Sequence, residues 1–260
     1  MPALLMVSDL SRHFGGVAAV DGLSFGVEEG EILGIIGPNG AGKTTAINLI
    51  SGVIRPDTGQ VSFAGNEVTG LASHRLAERG LVRTFQATTV FNQRTVRENA
   101  LRGAYLSLYP GFFAALLSTP AARRRRAETD LLVDEVLDWL SLTEVADITA
   151  GNLPYGFQKT LGMAIALAAR PRLVMMDEPV AGLSAEEADH VRDTIKRVRE
   201  RGITVIVIDH NMRFISGLCD RVLVINQGRE LAVGTPADVL SNKDVIEAYL
   251  GKGHAAAVDC

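Results

Sequence analysis

The sequence predicts an α/β fold with one mostly parallel β-sheet, on three observations. Apolar runs rich in Ile and Val recur at Glu31–Gly37 (EILGIIG), Arg172–Asp177 (RLVMMD) and Ile203–Asp209 (ITVIVID), and unbroken runs of this kind mark strands covered on both faces. Stretches with the length and composition of helices fall between them, at Thr44–Ser51, Lys159–Ala169 and Ala185–Glu200. The two kinds of segment alternate along the chain, the order that packs helices onto a parallel sheet.

Ahead of the first buried run, Gly15–Gly30 (GGVAAVDGLSFGVEEG) reads as a shorter strand between glycine-rich turns, and Thr58–Val68 (TGQVSFAGNEV) reads the same way. Together they predict a small antiparallel sheet flanking the main one. From about Ala87 to Gly151 the strand signal disappears. Amphipathic stretches such as Ala127–Leu142 (AETDLLVDEVLDWLSL) replace it, which predicts a helical insertion. Late in the chain, Arg221–Gly234 (RVLVINQGRELAVG) reads as a hairpin turning at Gln227 and Gly228. There is no internal repeat, and the one compositional bias is the AARRRRAE run at Ala121–Glu128.

At 260 residues, 47% of them hydrophobic, the chain can bury one sizeable core or a core plus a small subdomain. Its 26 Lys and Arg against 30 Asp and Glu leave a net charge of -4, so whole-chain electrostatics gives no reason to bind nucleic acid. The two cysteines, Cys219 and Cys260, stand in unrelated contexts and can build neither a disulfide framework nor a zinc cluster, which fits a reducing cytosol. The N-terminal residues lack the basic region and apolar core of a secretory signal. The most membrane-like stretch, Tyr105–Leu117 (YLSLYPGFFAALL), is broken by Pro110 and Gly111 and is too short to span a bilayer. Any membrane role is therefore expected to be peripheral or through partners.

The strongest chemical signal is Gly37–Thr45 (GPNGAGKTT), a full match to G-x-x-x-x-G-K-[ST] set between a buried strand and a helix. Gly37, Gly40 and Gly42 let the backbone of Pro38, Asn39 and Ala41 curl around phosphates. Lys43 is expected to reach the β and γ oxygens of ATP, and Thr44 to offer its hydroxyl to Mg2+. Thr45 continues into the helix, whose N-terminus favours anions. The second half of the site is Leu173–Pro179 (LVMMDEP), where an apolar strand delivers Asp177 to its carboxyl end to hold the Mg2+ shell. Glu178, the next residue, is the expected general base for the attacking water.

With these motifs in this order, the chain resembles the ATP-binding subunit of ABC transporters over almost its whole length. The resemblance implies a P-loop NTPase (RecA-like) core at residues 1–86 and 156–260 and a helical subdomain at 87–155 that carries the signature segment at its end. It assigns Gln86, in RTFQ, to the Q-loop, with contact to Mg2+ or the attacking water. His210, in VIVIDHNM, matches the switch histidine at the γ-phosphate. Phe14, in SRHFGG, matches the aromatic that stacks on adenine, against its plainer reading as an ordinary strand residue. Ala181, Gly182, Leu183 and Ser184 occupy the D-loop, where Ser184 replaces the usual Asp. Leu153, Pro154, Tyr155, Gly156 and Phe157 align with the family signature Leu-Ser-Gly-Gly-Gln, which meets the nucleotide held by the partner subunit. Here Pro154 lacks both a capping hydroxyl and an N–H, and Phe157 replaces Gln.

The details RTFQ, NLPYGFQ, DEPVAGLS, IDHNM and VIEAYLG look most like the branched-chain amino acid importer ATPases. The resemblance implies a second ABC ATPase subunit as homo- or heterodimer partner, integral membrane permease subunits, and indirectly a periplasmic binding protein. It implies a peripheral position on the cytoplasmic face of the inner (plasma) membrane. Related ATPases for urea, amides or exported lipids share much of the pattern. A soluble ABC ATPase acting on DNA would need a long coiled-coil insertion, and no sustained heptads occur. Two segments keep two readings each: YPGFFAALL as docking surface or buried helix face, and Arg123–Arg126 as solvated helix face or contact to anionic lipid.

Overall fold

The computed structural model describes residues 3–84, 90–108 and 120–250. The chain begins with a long hairpin, β1 (Leu5–Phe14) and β2 (Val17–Val27), followed by β3 (Ile32–Ile36) and α1 (Lys43–Ile50). Next come β4 (Thr58–Phe63), β5 (Asn66–Glu67), α2 (Ser73–Glu78) and β6 (Leu81–Arg83). Among the described residues, the α-helices that follow are α3 (Val96–Leu108), α4 (Pro120–Trp139) and α5 (Tyr155–Leu167). The chain then alternates through β7 (Leu173–Asp177), α6 (Ala185–Glu200), β8 (Thr204–Ile208) and α7 (Met212–Leu218). It continues through the hairpin β9 (Arg221–Asn226) and β10 (Arg229–Gly234), α8 (Pro236–Ser241) and α9 (Lys243–Leu250).

The main sheet has the order β10-β9-β3-β8-β7-β6, parallel throughout except for β10, which runs antiparallel to β9. The reason its strands read as unbroken apolar runs is visible in the packing. Alternate residues of one strand serve two different clusters, because successive side chains leave opposite faces. Ile32, Val174, Met176, Val205, Val207, Val222 and Val224 pack with α3 to α7 on one face. Leu33, Ile35, Leu173, Met175, Ile206, Leu223 and Ile225 pack with α1 and the antiparallel sheet β2-β1-β4-β5 on the other. Each such side chain contributes roughly 1.5–3 kcal/mol of burial.

The late hairpin turns at Gln227 and Gly228, with φ of 50° and 79°, the pair of positive values that matches the strand twist. Two differences from the sequence reading have simple causes. β1 was not apparent as a strand because its apolar alternation breaks at Asp9, where φ is 49°, and its register shifts between Val7 and Leu10 and again further on. α5 begins at Tyr155, four residues before the expected Lys159, so it runs unbroken across the expected boundary between residues 155 and 156. Pro154 sits at its N-cap with ψ of 151°, where the ring blocks nothing and its carbonyl accepts the N–H of Gln158.

The segment Tyr109–Leu117 lies outside the described residues, as does Gln86. Arg123 to Arg126 lie exposed on α4. No helix among the described residues is long and apolar enough to cross a membrane.

Candidate nucleotide site

Three neighbouring strands, β3, β8 and β7, end side by side and set the site. Ile35 pairs with Ile208, and Ile208 with Asp177, so the loop after each strand opens on the same edge of the sheet. Open parallel sheets bind their ligands in this position.

After β3, the loop from Gly37 to Gly42 turns back on itself and enters α1. Gly37 has φ of 154°, and a Cβ there would lie 2.1 Å from the carbonyl oxygen of Ile225; at Gly42, with φ of 101°, a Cβ would lie 2.3 Å from that of Ala19. Both positions therefore require glycine, for conformation and for close approach. Lys43 donates to the carbonyls of Gly37 and Pro38 at 2.6 and 3.0 Å. Burial lowers its pKa from the ordinary lysine value, and the carboxylates of Glu178 and Asp177 oppose that shift. Thr44 is exposed at the first turn of α1, with Thr45 half-buried beside it.

At the end of β7, Asp177 is engaged by a residue the sequence reading did not single out. Arg83, at the end of β6, donates to Asp177 Oδ2 at 2.8 Å, and each side chain is 10% exposed. The same guanidinium donates to Asn48 on α1, so it ties the helix after the phosphate loop to the acidic strand end. Nothing in the spacing of RTFQ marks this arginine; a charged residue closing a buried strand next to the Gln was the available signal.

Glu178 has φ of 48°, a left-handed conformation that costs a non-glycine residue about 1–2 kcal/mol. Its N–H donates to the carbonyl of Ile208 at 2.8 Å, so β8 holds it across the gap between strands. His210, after β8, places Nδ1 3.6 Å from Glu178 Oε1 and 3.8 Å from Asp209 Oδ1. Asp209 itself is 1% exposed; one carboxylate oxygen accepts the N–H of Asn211, while Oδ2 is buried with no hydrogen-bond partner among the described residues. The structure thus brings Lys43, Asp177, Glu178 and His210 to one edge. Phe14 lies 47% exposed at the end of β1, with the Arg12 guanidinium 5.0 Å from its ring centre, on the hairpin whose Ala19 touches Gly42.

The signature residues and the D-loop meet on a second surface. Leu153 is buried under α5, whereas Pro154, Tyr155 and Phe157 are exposed at its start. The Tyr155 ring packs on Gly182, where an added Cβ would lie 3.3 Å from it, and Gly156 faces Glu187. Ala181 donates its N–H to the Glu178 carbonyl, and Leu183 its N–H to that of Val180, so the D-loop is a tight turn. Ser184 closes it as the N-cap of α6, in a reciprocal capping box with Glu187.

With this geometry, the model of the ABC transporter family matches residues 20–181. The chain belongs to the ABC transporter family. A second model, of the branched-chain amino acid ATP-binding cassette transporter, matches residues 229–255, beginning at β10. The chain is 42% identical over 250 residues to the high-affinity branched-chain amino acid transport ATP-binding protein BraF of Pseudomonas aeruginosa, covering 96% of this chain and 98% of the relative. It is 40% identical over 253 residues to LivG of Salmonella typhimurium, of the same description, with the same coverage. Among solved structures, the ADP conformation of an ATP-binding cassette of an ABC transporter superposes with a TM-score of 0.85 at 30% identity, covering 97% of this chain and all of that one. As an ABC cassette, the chain is an ATP-hydrolysing subunit that energises a transporter.

Proposed function

We propose that this subunit drives uptake of branched-chain amino acids, and that its own site hydrolyses ATP with Glu178 as general base. The observation that carries the catalytic half is the convergence of Lys43, Asp177, Glu178 and His210 at the ends of three adjacent strands. What supports the substrate is the match of residues 229–255 to the branched-chain amino acid transporters, together with the relatives at 40% identity or more.

The residues present fit a nucleotide with Mg2+. Lys43 is a half-buried ammonium whose hydrogen bonds go to neutral carbonyls, a cation over a glycine loop with room to exchange them for phosphate oxygens. Among the described residues no group of three or more His, Cys, Asp or Glu side chains could hold a metal. Mg2+ is held by one or two carboxylates and fills the rest of its shell with phosphate and water. Thr44 and Asp177 would offer oxygens to the ion and, by resemblance, Gln86 would contact it or the attacking water; the ion would neutralise developing charge on the phosphates. Lys43 holds the β and γ oxygens, Glu178 accepts the proton of the attacking water, and His210 orients at the γ-phosphate. Phe14 offers an open ring face to adenine.

Two such chains, or this one and a similar ATPase, face each other so that the start of α5 meets the partner's nucleotide. Pro154 supplies no capping hydroxyl there, which weakens the opposite site by about 1 kcal/mol. A groove of about 330 Å3 lies between α2 and β6 on one side and α3 and α5 on the other, lined by His74, Leu81, Arg83, Gly103, Ile165 and Ala166. The helical insertion, whose α3 forms one wall of this groove together with α5, is the docking surface for the permease, and Arg83 belongs to both groove and site. Residues 87–155 act as the helical subdomain that moves with the permease, at the cytoplasmic face of the membrane.

The test is reconstitution in proteoliposomes with branched-chain amino acid permease subunits, a partner ATPase and a periplasmic binding protein. Leucine, isoleucine or valine is expected to stimulate ATP hydrolysis and to accumulate; stimulation by urea or amides alone would overturn the substrate.

A further inference from the structure

One side chain connects the two surfaces of the site. Lys159, in the second turn of α5, reaches across the D-loop and donates to the carbonyl oxygen of Glu178 at 2.8 Å. That carbonyl also accepts the N–H of Ala181, while the N–H of Glu178 is held by Ile208 on β8. The peptide on either side of the left-handed Glu178 is therefore pinned at both ends, by β8 on one and by α5 on the other. Lys159 is itself held: its ammonium lies 5.6 Å from the centre of the Tyr155 ring, and that ring packs on Gly182 of the D-loop.

We propose that Lys159 is a positioning residue for ATP hydrolysis, through which the signature helix α5 sets the placement of the Glu178 carboxylate. The proposal rests on Glu178 being the general base. A residue in a sparsely populated backbone conformation persists only where its surroundings over-determine it, and Lys159 supplies a restraint that comes from α5. Burial lowers the pKa of Lys159, and the carboxylates of Asp209 and Glu178 act against that shift. Asp209, with its buried unpartnered Oδ2, and Glu178 together keep a cation favourable at this point. The consequence is communication between the two sites of a dimer. Whatever displaces the start of α5, including a nucleotide bound by the partner, acts on the base of this chain's own site through the Lys159 hydrogen bond.

Lys159→Met keeps the stem and removes the donor. For the full chain, kcat for ATP hydrolysis is expected to fall about tenfold or more, with KM and the Kd for ATP within about twofold, because a small misplacement of a reacting group costs rate rather than binding. Lys159→Arg, which still donates, is expected to recover at least half of kcat, and the melting temperatures should stay close. Wild-type kcat in Lys159→Met, a loss that Arg does not repair, or a rise in KM matching the fall in kcat would each overturn the proposal. Should the Met variant not fold, Lys159→Leu, which also lacks a donor, is read in the same way. Glu178→Gln run alongside separates the two ideas: if it turns over normally, the base assignment falls and this proposal with it. If it is inactive while Lys159→Met is normal, only the role of Lys159 is lost.

Discussion

Arg83 and Asp177 form a pair at the bottom of the site, each 10% exposed, and charges so placed need good geometry to offset their lost hydration. The second contact of the guanidinium, to Asn48, supplies part of that geometry. Removing one partner leaves the other as an uncompensated buried charge. Arg83→Met is therefore expected to lower the stability of the nucleotide-free chain by about 3 kcal/mol in chemical denaturation; a loss well under about 1 kcal/mol would mean that Asp177 finds hydration without it. Legibility differed residue by residue. Lys43, Asp177 and Glu178 could be read because their motifs lie at the ends of apolar runs, and His210 because it follows the third. Arg83 could not, since its partner is 94 positions away and no local spacing announces it.

At the scale of elements, the D-loop serves as the start of α6. Ser184, noted in the sequence as a departure from Asp, caps that helix through the N–H of Glu187, whose carboxylate returns a bond to the Ser184 N–H. Ser184→Ala is expected to cost about 1 kcal/mol of stability, and Ser184→Asp almost nothing, because Asp caps as well as Ser. The backbone and side-chain hydrogen bonds from Ser184 hold the Glu187 pKa below its ordinary value. Its contribution is thus present at neutral pH and is lost as pH falls through that lowered value. Denaturation curves of wild type and Glu187→Ala should converge in acid; a gap that stays constant with pH would contradict the carboxylate half of the capping box. Elements buried on both faces, β3, β7 and β8, were legible because nothing polar interrupts them. The start of α5 was not: Pro154 and Gly156 are loop-forming residues by local preference, and packing of α5 against α3 and the sheet overrides them. The short helices α2, α7, α8 and α9 carry too few apolar positions for a period to show.

Over the whole molecule, one sheet shared by two apolar clusters acts as a rigid frame that delivers a cation, two carboxylates and a histidine to a single edge. Its outer parts, the groove beside Arg83 and the signature helix anchored by Lys159, are tied to that edge by individual hydrogen bonds as well as by packing. The frame and its phosphate loop were evident in the order of motifs. These two connections were not, because they join residues from different elements that only the fold brings together. The central claim is that Glu178 performs proton transfer in a site that binds ATP without it. The most direct measurement compares ATP affinity and steady-state hydrolysis of the full chain with Glu178→Gln. Affinity is expected to stay within about twofold, while turnover falls by about a hundredfold or more. Turnover at the wild-type rate, with affinity unchanged, would contradict it.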